Sequence, residues 1–343
     1  MAIVDDYIKT MPKAELHCHL DGSIPLATLK QLAREMGMDE QVMDQAVAAE
    51  RCSSLKDYLQ SFEVILSVLQ TEEQLERATA ATIAEVSKEN VRYIELRFAP
   101  LLHTNQGLTP SEVIEAVRRG IARAVEVTPV FVNLILCQMR HMDQATQLKL
   151  IADLSPYTWD NVVAFDFAGD EPDNSNDEVV ALACQNAGYA LTMHAGECGC
   201  AHNILAAIKL GASRIGHGVA VKSSSEVVQL AKDKQVHFEV CPTSNYQTGA
   251  LPSIAASHLK LLMDKGISCS VNTDNRTVSN TTLSAEFEKV THAFDFTIAD
   301  IYHLSTQAVV FAFATQPIKQ QLLEEMHAHY QQFVCPSKTE KKE

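Results

Sequence analysis

No apolar run in the sequence approaches the roughly 20 residues that a membrane-spanning helix requires; Val310-Phe311-Ala312-Phe313-Ala314 is among the longest. Positive charge is also scarce. With 28 Lys and Arg against 43 Asp and Glu, the formal charge is −15. Such a balance repels nucleic acid and anionic membranes at long range, so neither is expected as a partner. A small neutral substrate is untouched by this argument. The nine cysteines are an odd number without regular spacing, which argues against a disulfide framework and for a reducing compartment. The opening Met1-Ala2-Ile3-Val4-Asp5-Asp6 has acids where a signal peptide carries basic residues and a long apolar block. A cytoplasmic location is therefore expected. Neither G-x-G-x-x-G after the first strand-like run nor G-x-x-x-x-G-K-[ST] anywhere is present, and the H-x-E…P-C-x-x-C pattern of cytidine-type zinc deaminases is missing too.

What is present suits a large folded core: 46% of the residues are hydrophobic and only 21% charged. Short β-rich apolar runs fall at 14–19, 91–98, 130–137, 162–167, 190–194, 214–217, 237–241 and 268–272. Helical patterns lie between most of them, at 111–126, 144–154, 176–187, 201–210, 224–233 and 254–265, with Gly188, Gly211 and Gly266 where helices should stop. Eight strands with intervening helices predict an α/β fold, a (β/α)8 TIM barrel formed by residues 1–343 as one domain. Two departures from a plain barrel are expected. A helical insertion at 26–90 separates the first two strands, where a lid over the catalytic face commonly arises. A helical C-terminal extension at 283–333 is expected to pack outside the barrel.

Polar residues at the C-terminal ends of barrel strands converge although they are distant in sequence. The first strand ends in His17-Cys18-His19, and period-two alternation turns both imidazoles to one side and Cys18 to the other. Together with His194 and Asp274 this makes three nitrogens and a carboxylate oxygen, a donor set suited to a divalent ion such as Zn²⁺. A bound ion of this kind lowers the pKa of water to about 7 and makes hydroxide available at neutral pH. Cys198-Gly-Cys200 is a rival soft-metal pair without a second cysteine pair to complete it. The stripe Leu55, Tyr58, Leu59, Phe62, Leu66 and Leu69 has helical spacing and reads as packing.

Several of these segments occur together in one known arrangement. Pro12-Lys13-Ala14-Glu15-Leu16-His17-Cys18-His19-Leu20-Asp21-Gly22-Ser23, the stretch from Asp166 to Glu171, His194-Ala195-Gly196-Glu197, Gly216-His217-Gly218 and Asn272-Thr273-Asp274 resemble, in order, the motifs of the adenosine deaminase family of the amidohydrolase superfamily. The resemblance runs from about residue 12 to 290. It implies one catalytic zinc per chain, held by His17, His19, His194 and Asp274, and deamination of a purine nucleoside. It assigns His217 to orienting or deprotonating the attacking water and Glu197 to protonating purine N1. It also assigns the Gly169 N–H to N3, and Asp21 to a ribose hydroxyl. Protonation at N1 makes chemical sense, because adding hydroxide at C6 breaks aromaticity.

One position departs from the commoner pattern: Asp274 is followed by Asn275 where many family members have a second Asp. The residue there faces N7, and a neutral amide can donate to it without a pKa to tune. The expected function is hydrolysis of adenosine and 2′-deoxyadenosine to the inosines plus ammonia, in purine salvage. The alternatives are a relative acting on free adenine or an N6-modified nucleotide, and a non-catalytic binding protein on the same barrel. The carboxylate of Asp21 suits a neutral hydroxyl and disfavours a phosphate. A monomer is compatible with the sequence.

Overall fold

A computed structural model describes residues 2–154 and 159–335. Eight strands form one sheet in the order of the chain: β1 (Lys13–His19), β2 (Val91–Phe98), β3 (Phe131–Met139), β4 (Val162–Ala168), β5 (Ala190–Ala195), β6 (Arg214–His217), β7 (His237–Val240) and β8 (Cys269–Val271). Each neighbouring pair is parallel. A parallel bridge between Cys18 and Asp274 brings the last strand back to the first. Every strand expected from the apolar runs is present.

The seam between β8 and β1 explains how the His-x-His pair is aimed. Pairing of β1 with β2 shifts register between Glu15 and Cys18, which places an extra residue in β1 and bends it. The Leu16 and His17 N–H groups both donate to Asn272 Oδ1, at 2.9 and 3.2 Å. Farther along, the His19 N–H donates to the Asp274 carbonyl at 2.7 Å and the Asp274 N–H to the His17 carbonyl at 3.0 Å. Bulges of this kind re-aim side chains beside functional sites.

Between β1 and β2 lie the helices Leu26–Glu35, Leu55–Leu59, Ser61–Ser67 and Glu72–Ser87 and a 3-10 turn at Glu40–Ala46. The single helix expected over 55–69 is thus two pieces meeting at Gln60. The helix expected over 254–265 is likewise divided: Ser257 is extended, and its Oγ accepts the Leu259 N–H at 3.3 Å, starting a new helix at Leu259–Asp264. Helices Ala2–Thr10 and Pro242–Gln247 were not apparent in the sequence pattern.

Three helices follow β8: Leu283–Phe294, Ile298–Phe311 and Gln316–Val334. As expected, helices of this segment lie outside the strands, and one of them completes the barrel's own helical layer. Helix Ile298–Phe311 lies against β8 and β1, because parallel strands need both faces covered. Beyond it, Phe313 reaches the end of the barrel opposite the strand C-termini. Its N–H donates to Glu95 Oε1 at 2.6 Å, its carbonyl accepts from Asn133 Nδ2 at 2.9 Å, and its ring lies 3.8 Å from the Arg214 guanidinium carbon.

Among the described residues, no helix is long and apolar enough to cross a membrane.

Candidate active site

The barrel interior is polar where the strands end. Arg97 on β2 is wholly buried and donates to Asp166 Oδ2 on β4 at 2.9 Å and to Glu239 Oε2 on β7 at 2.8 Å. Those two carboxylates each hold an imidazole. His17 Nδ1 lies 2.8 Å from Glu239 Oε2, and His194 Nδ1 lies 2.9 Å from Asp166 Oδ2. Burial opposes charge on both acids. For Asp166, His194 and Arg97 outweigh it; for Glu239, Arg97 and Arg214 do, so both stay well below the usual carboxylate range. A carboxylate accepts, so each Nδ1 carries the hydrogen and each Nε2 offers a lone pair to the interior.

Those lone pairs converge. His17 Nε2 and His19 Nε2 lie 3.2 and 3.3 Å from Asp274 Oδ1, and His19 Nε2 lies 3.2 Å from His194 Nε2. His17 Nε2 is buried without a directed hydrogen bond. Ser244 Oγ donates to the other Asp274 oxygen at 2.6 Å. Burial drives His19 well below the ordinary histidine range, so its ring stays neutral and able to ligate. Two donors about 2.0–2.1 Å from a tetrahedral ion stand roughly 3.3 Å apart, and these spacings match. Ligand atoms of His17, His194, His217 and Asp274 all lie within 4.8 Å of one another, and so do those of His19, Asp166 and His194. The cluster therefore has the chemistry of a metal site. Cys198 and Cys200 join neither group and are exposed.

Glu197 and His217 border this cluster. The Glu197 loop hangs on buried Glu171, whose carboxylate accepts the N–H groups of Gly196 at 2.8 Å and Glu197 at 2.6 Å. Thr248 Oγ1 donates to Glu197 Oε1 at 3.3 Å. His217 Nδ1 lies 2.8 Å from Asn245 Nδ2. An amide nitrogen only donates, so Nδ1 accepts and the ring hydrogen sits on Nε2, 3.7 Å from Glu197 Oε2. His217 and Asp274 both have left-handed backbone, with φ of 62° and 63°.

Above the cluster opens a cavity of about 520 Å³ that includes His19, Asp21, Gly169, His194, Glu197, His217, Asp274 and Asn275 in its lining. Of the site residues expected from the sequence, His17 alone is absent from that lining, because it lies beneath. Asp21 is buried, its Oδ1 has no partner, and burial pushes its carboxyl up to about 7. Gly169 has φ +93°, a backbone region that favours glycine; its N–H has no hydrogen-bond partner among the described residues. Asn275 does not cap the turn after it: Nδ2 donates to Tyr58 Oη at 3.0 Å and Oδ1 has no partner.

The helical stripe read as packing does more than pack. Leu55, Tyr58, Leu59, Phe62 and Leu66 all line the cavity, while Leu69 stays in the core. Sequence reasoning also missed Arg97, Glu239, Ser244 and Asn245. The alternation His237-Phe238-Glu239-Val240 in a strand buried on both faces was an available signal for Glu239, because it points an acid inward.

A family model described as adenosine deaminase matches residues 12–329. That is most of the chain. The chain belongs to the adenosine deaminase family. A relative from Enterococcus faecalis named adenosine deaminase is 40% identical over 331 residues, covering 94% of this chain and 98% of its own length. Among solved structures, an adenine deaminase from Arthrobacter aurescens aligns with a TM-score of 0.86 at 25% identity, over 93% of this chain and 99% of that one. The N6-methyl-AMP deaminase of Arabidopsis thaliana aligns with a TM-score of 0.84 at 26% identity, over 94% and 98%. With these solved structures the chain shares its barrel fold.

Proposed function

We infer that the protein hydrolyses adenosine and 2′-deoxyadenosine to inosine and 2′-deoxyinosine with release of ammonia, as a cytoplasmic enzyme of purine salvage in which residues 1–343 act as one catalytic unit. The observation that carries the choice of substrate is the charge of the cavity wall. Asp21, Glu63, Asp170, Glu197 and Asp274 line it, and its described lining contains no Lys or Arg. A nucleotide phosphate would meet the carboxylates of Glu63 and Asp170 with no Lys or Arg in the lining to pair with. A nucleoside brings only hydroxyls, and the buried, unpartnered Asp21 Oδ1 is an acceptor suited to one of them. Free adenine would leave that acceptor unmatched.

In this reading His17, His19, His194 and Asp274 hold one Zn²⁺, which when bound supplies hydroxide at neutral pH. The chain's own groups do the rest. Gly169 N–H and Asn275 Nδ2–H hold N3 and N7, so the ring presents C6 to the cluster. Glu197 donates a proton to N1 as C6 becomes tetrahedral, which offsets the loss of aromaticity. His217, with its hydrogen on Nε2, orients the attacking water by donating toward it. The apolar wall from the insertion excludes bulk water, which strengthens each of these interactions.

Following the purine ultraviolet spectrum with adenosine, adenine and AMP in parallel tests the proposal. Adenosine is expected to turn over fastest. Preference for adenine or AMP would overturn the assignment of Asp21 along with the substrate.

A further inference from the structure

Asn275 is the site residue that departs from the commoner family pattern, and its surroundings explain how a neutral amide is made directional. An isolated asparagine amide can rotate to present either its oxygen or its nitrogen, so on its own it does not distinguish a ligand acceptor from a donor. Here the main chain is pinned first: the Asn275 carbonyl accepts the Ser279 N–H at 2.8 Å, and Gly22 O accepts the N–H groups of Thr277 and Val278 at 2.9 and 3.1 Å. The Oδ1 side of the amide fills the space that Gly22 leaves, where an added Cβ would stand only 2.0 Å from that oxygen. On the other side stands Tyr58 Oη, which accepts from Asn275 Nδ2 at 3.0 Å and lies 2.7 Å from Ser279 Oγ. Because the phenol accepts from Asn275, its single hydrogen is free for Ser279 Oγ. Tyr58 itself is buried and belongs to helix Leu55–Leu59 of the insertion.

We propose that Tyr58 is a specificity-determining positioning residue: its hydroxyl, delivered by the insertion, fixes the Asn275 amide so that the remaining N–H is offered to purine N7. Recognition of N7 and docking of the insertion are then one event. The inference rests on the deaminase reading above and adds to it a residue outside the strand-end motifs. It also accounts for a hydroxyl in a stripe whose other wall residues, Leu55, Leu59, Phe62 and Leu66, are apolar.

Competitive inhibition by the reaction product tests this without requiring turnover of a poor substrate. Inosine has an N7 lone pair; 7-deazainosine has a C–H there and cannot accept. Wild-type protein is expected to bind inosine about three- to tenfold more tightly than 7-deazainosine, the range of one neutral hydrogen bond. Tyr58→Phe keeps the ring and deletes the hydroxyl. It should weaken inosine, leave 7-deazainosine unchanged and bring the ratio of inhibition constants close to one. In Asn275→Ala the ratio should already be near one, and adding Tyr58→Phe should not move it further. A structural role for Tyr58 predicts that both constants rise by a common factor with the ratio preserved, and that result overturns the proposal. A wild-type ratio near one overturns it as well. Ser279→Ala, which deprives the phenol of its second partner, reads the same ratio should Tyr58→Phe fold poorly. Failure of the wild type to release ammonia from adenosine is a separate result that removes the underlying function.

Discussion

The floor and the wall of the cavity are built on opposite principles. On the floor three of the four ligand side chains are held by a second polar group: Glu239 behind His17, Asp166 behind His194, Ser244 behind Asp274, with Arg97 joining the first two. The wall contributed by the insertion is mostly apolar, and Leu59 is 40% exposed even with the insertion docked. Buried charges tolerate no loss of a partner, because the survivor is left unpaired in low dielectric. Apolar contacts are lost by increments of area. The floor is therefore suited to chemistry that requires fixed geometry, and the wall to admitting and enclosing a substrate.

Mutations can break this contrast, and the largest effect should come from the floor. His19→Ala is expected to lose the metal and at least about 10³-fold in activity together, since an ion of this kind supplies several kcal/mol to the transition state. Metal analysis should find about one Zn²⁺ per wild-type chain and much less in the variant. An active metal-free protein would refute the site.

Next in size is Glu197→Gln, which should lower kcat by at least about 10²-fold while retaining metal and nucleoside binding. Near-normal turnover would remove Glu197 from the mechanism. Glu239→Gln touches no substrate, yet should weaken metal affinity by about 10- to 100-fold by releasing the His17 ring. Competition with a chelator measures this, and unchanged affinity would show that the floor is not the coupled unit described. Asp21→Ala should lower kcat/KM for adenosine roughly ten- to a hundredfold, the cost of one charge-assisted hydrogen bond, and leave any weak activity on adenine unaltered.

The smallest effect belongs to the wall. Leu59→Ala should change stability by no more than about 0.5 kcal/mol. It should raise KM for adenosine by less than about tenfold, since a partly exposed leucine contributes less than full burial would. A larger loss than that of Asp21→Ala would reverse the roles assigned to floor and wall.

The floor's ligands were apparent in the sequence because they stand at the ends of short apolar runs, and His17-Cys18-His19 shows its two-residue period directly. Their supports were not apparent, for a physical reason. Glu95, Arg97 and Glu239 are ionic residues in strands, and charge in a sequence ordinarily signals solvent; only a closed barrel turns alternate positions into a shared interior. The stripe at Leu55–Leu59 and beyond failed differently. Helical periodicity reports that a face is covered, not whether protein or ligand covers it. Asn245 and Ser244 follow Pro242 in a six-residue helix too short to show a period.

His217 and Asp274 hold left-handed backbone that side-chain-bearing residues enter at a cost of about 1–2 kcal/mol, less for aspartate than for histidine. Glycine would sit at either position more comfortably. Selection for heat resistance alone should nonetheless not enrich glycine at either position, because each side chain is buried and bonded, His217 to Asn245 and Asp274 to Ser244, and losing those contacts outweighs the relief of strain. The same library screened for turnover should keep both residues and find its stabilising changes elsewhere. The two sets of survivors should therefore agree at 217 and 274, where buried contacts hold the strained backbone in place.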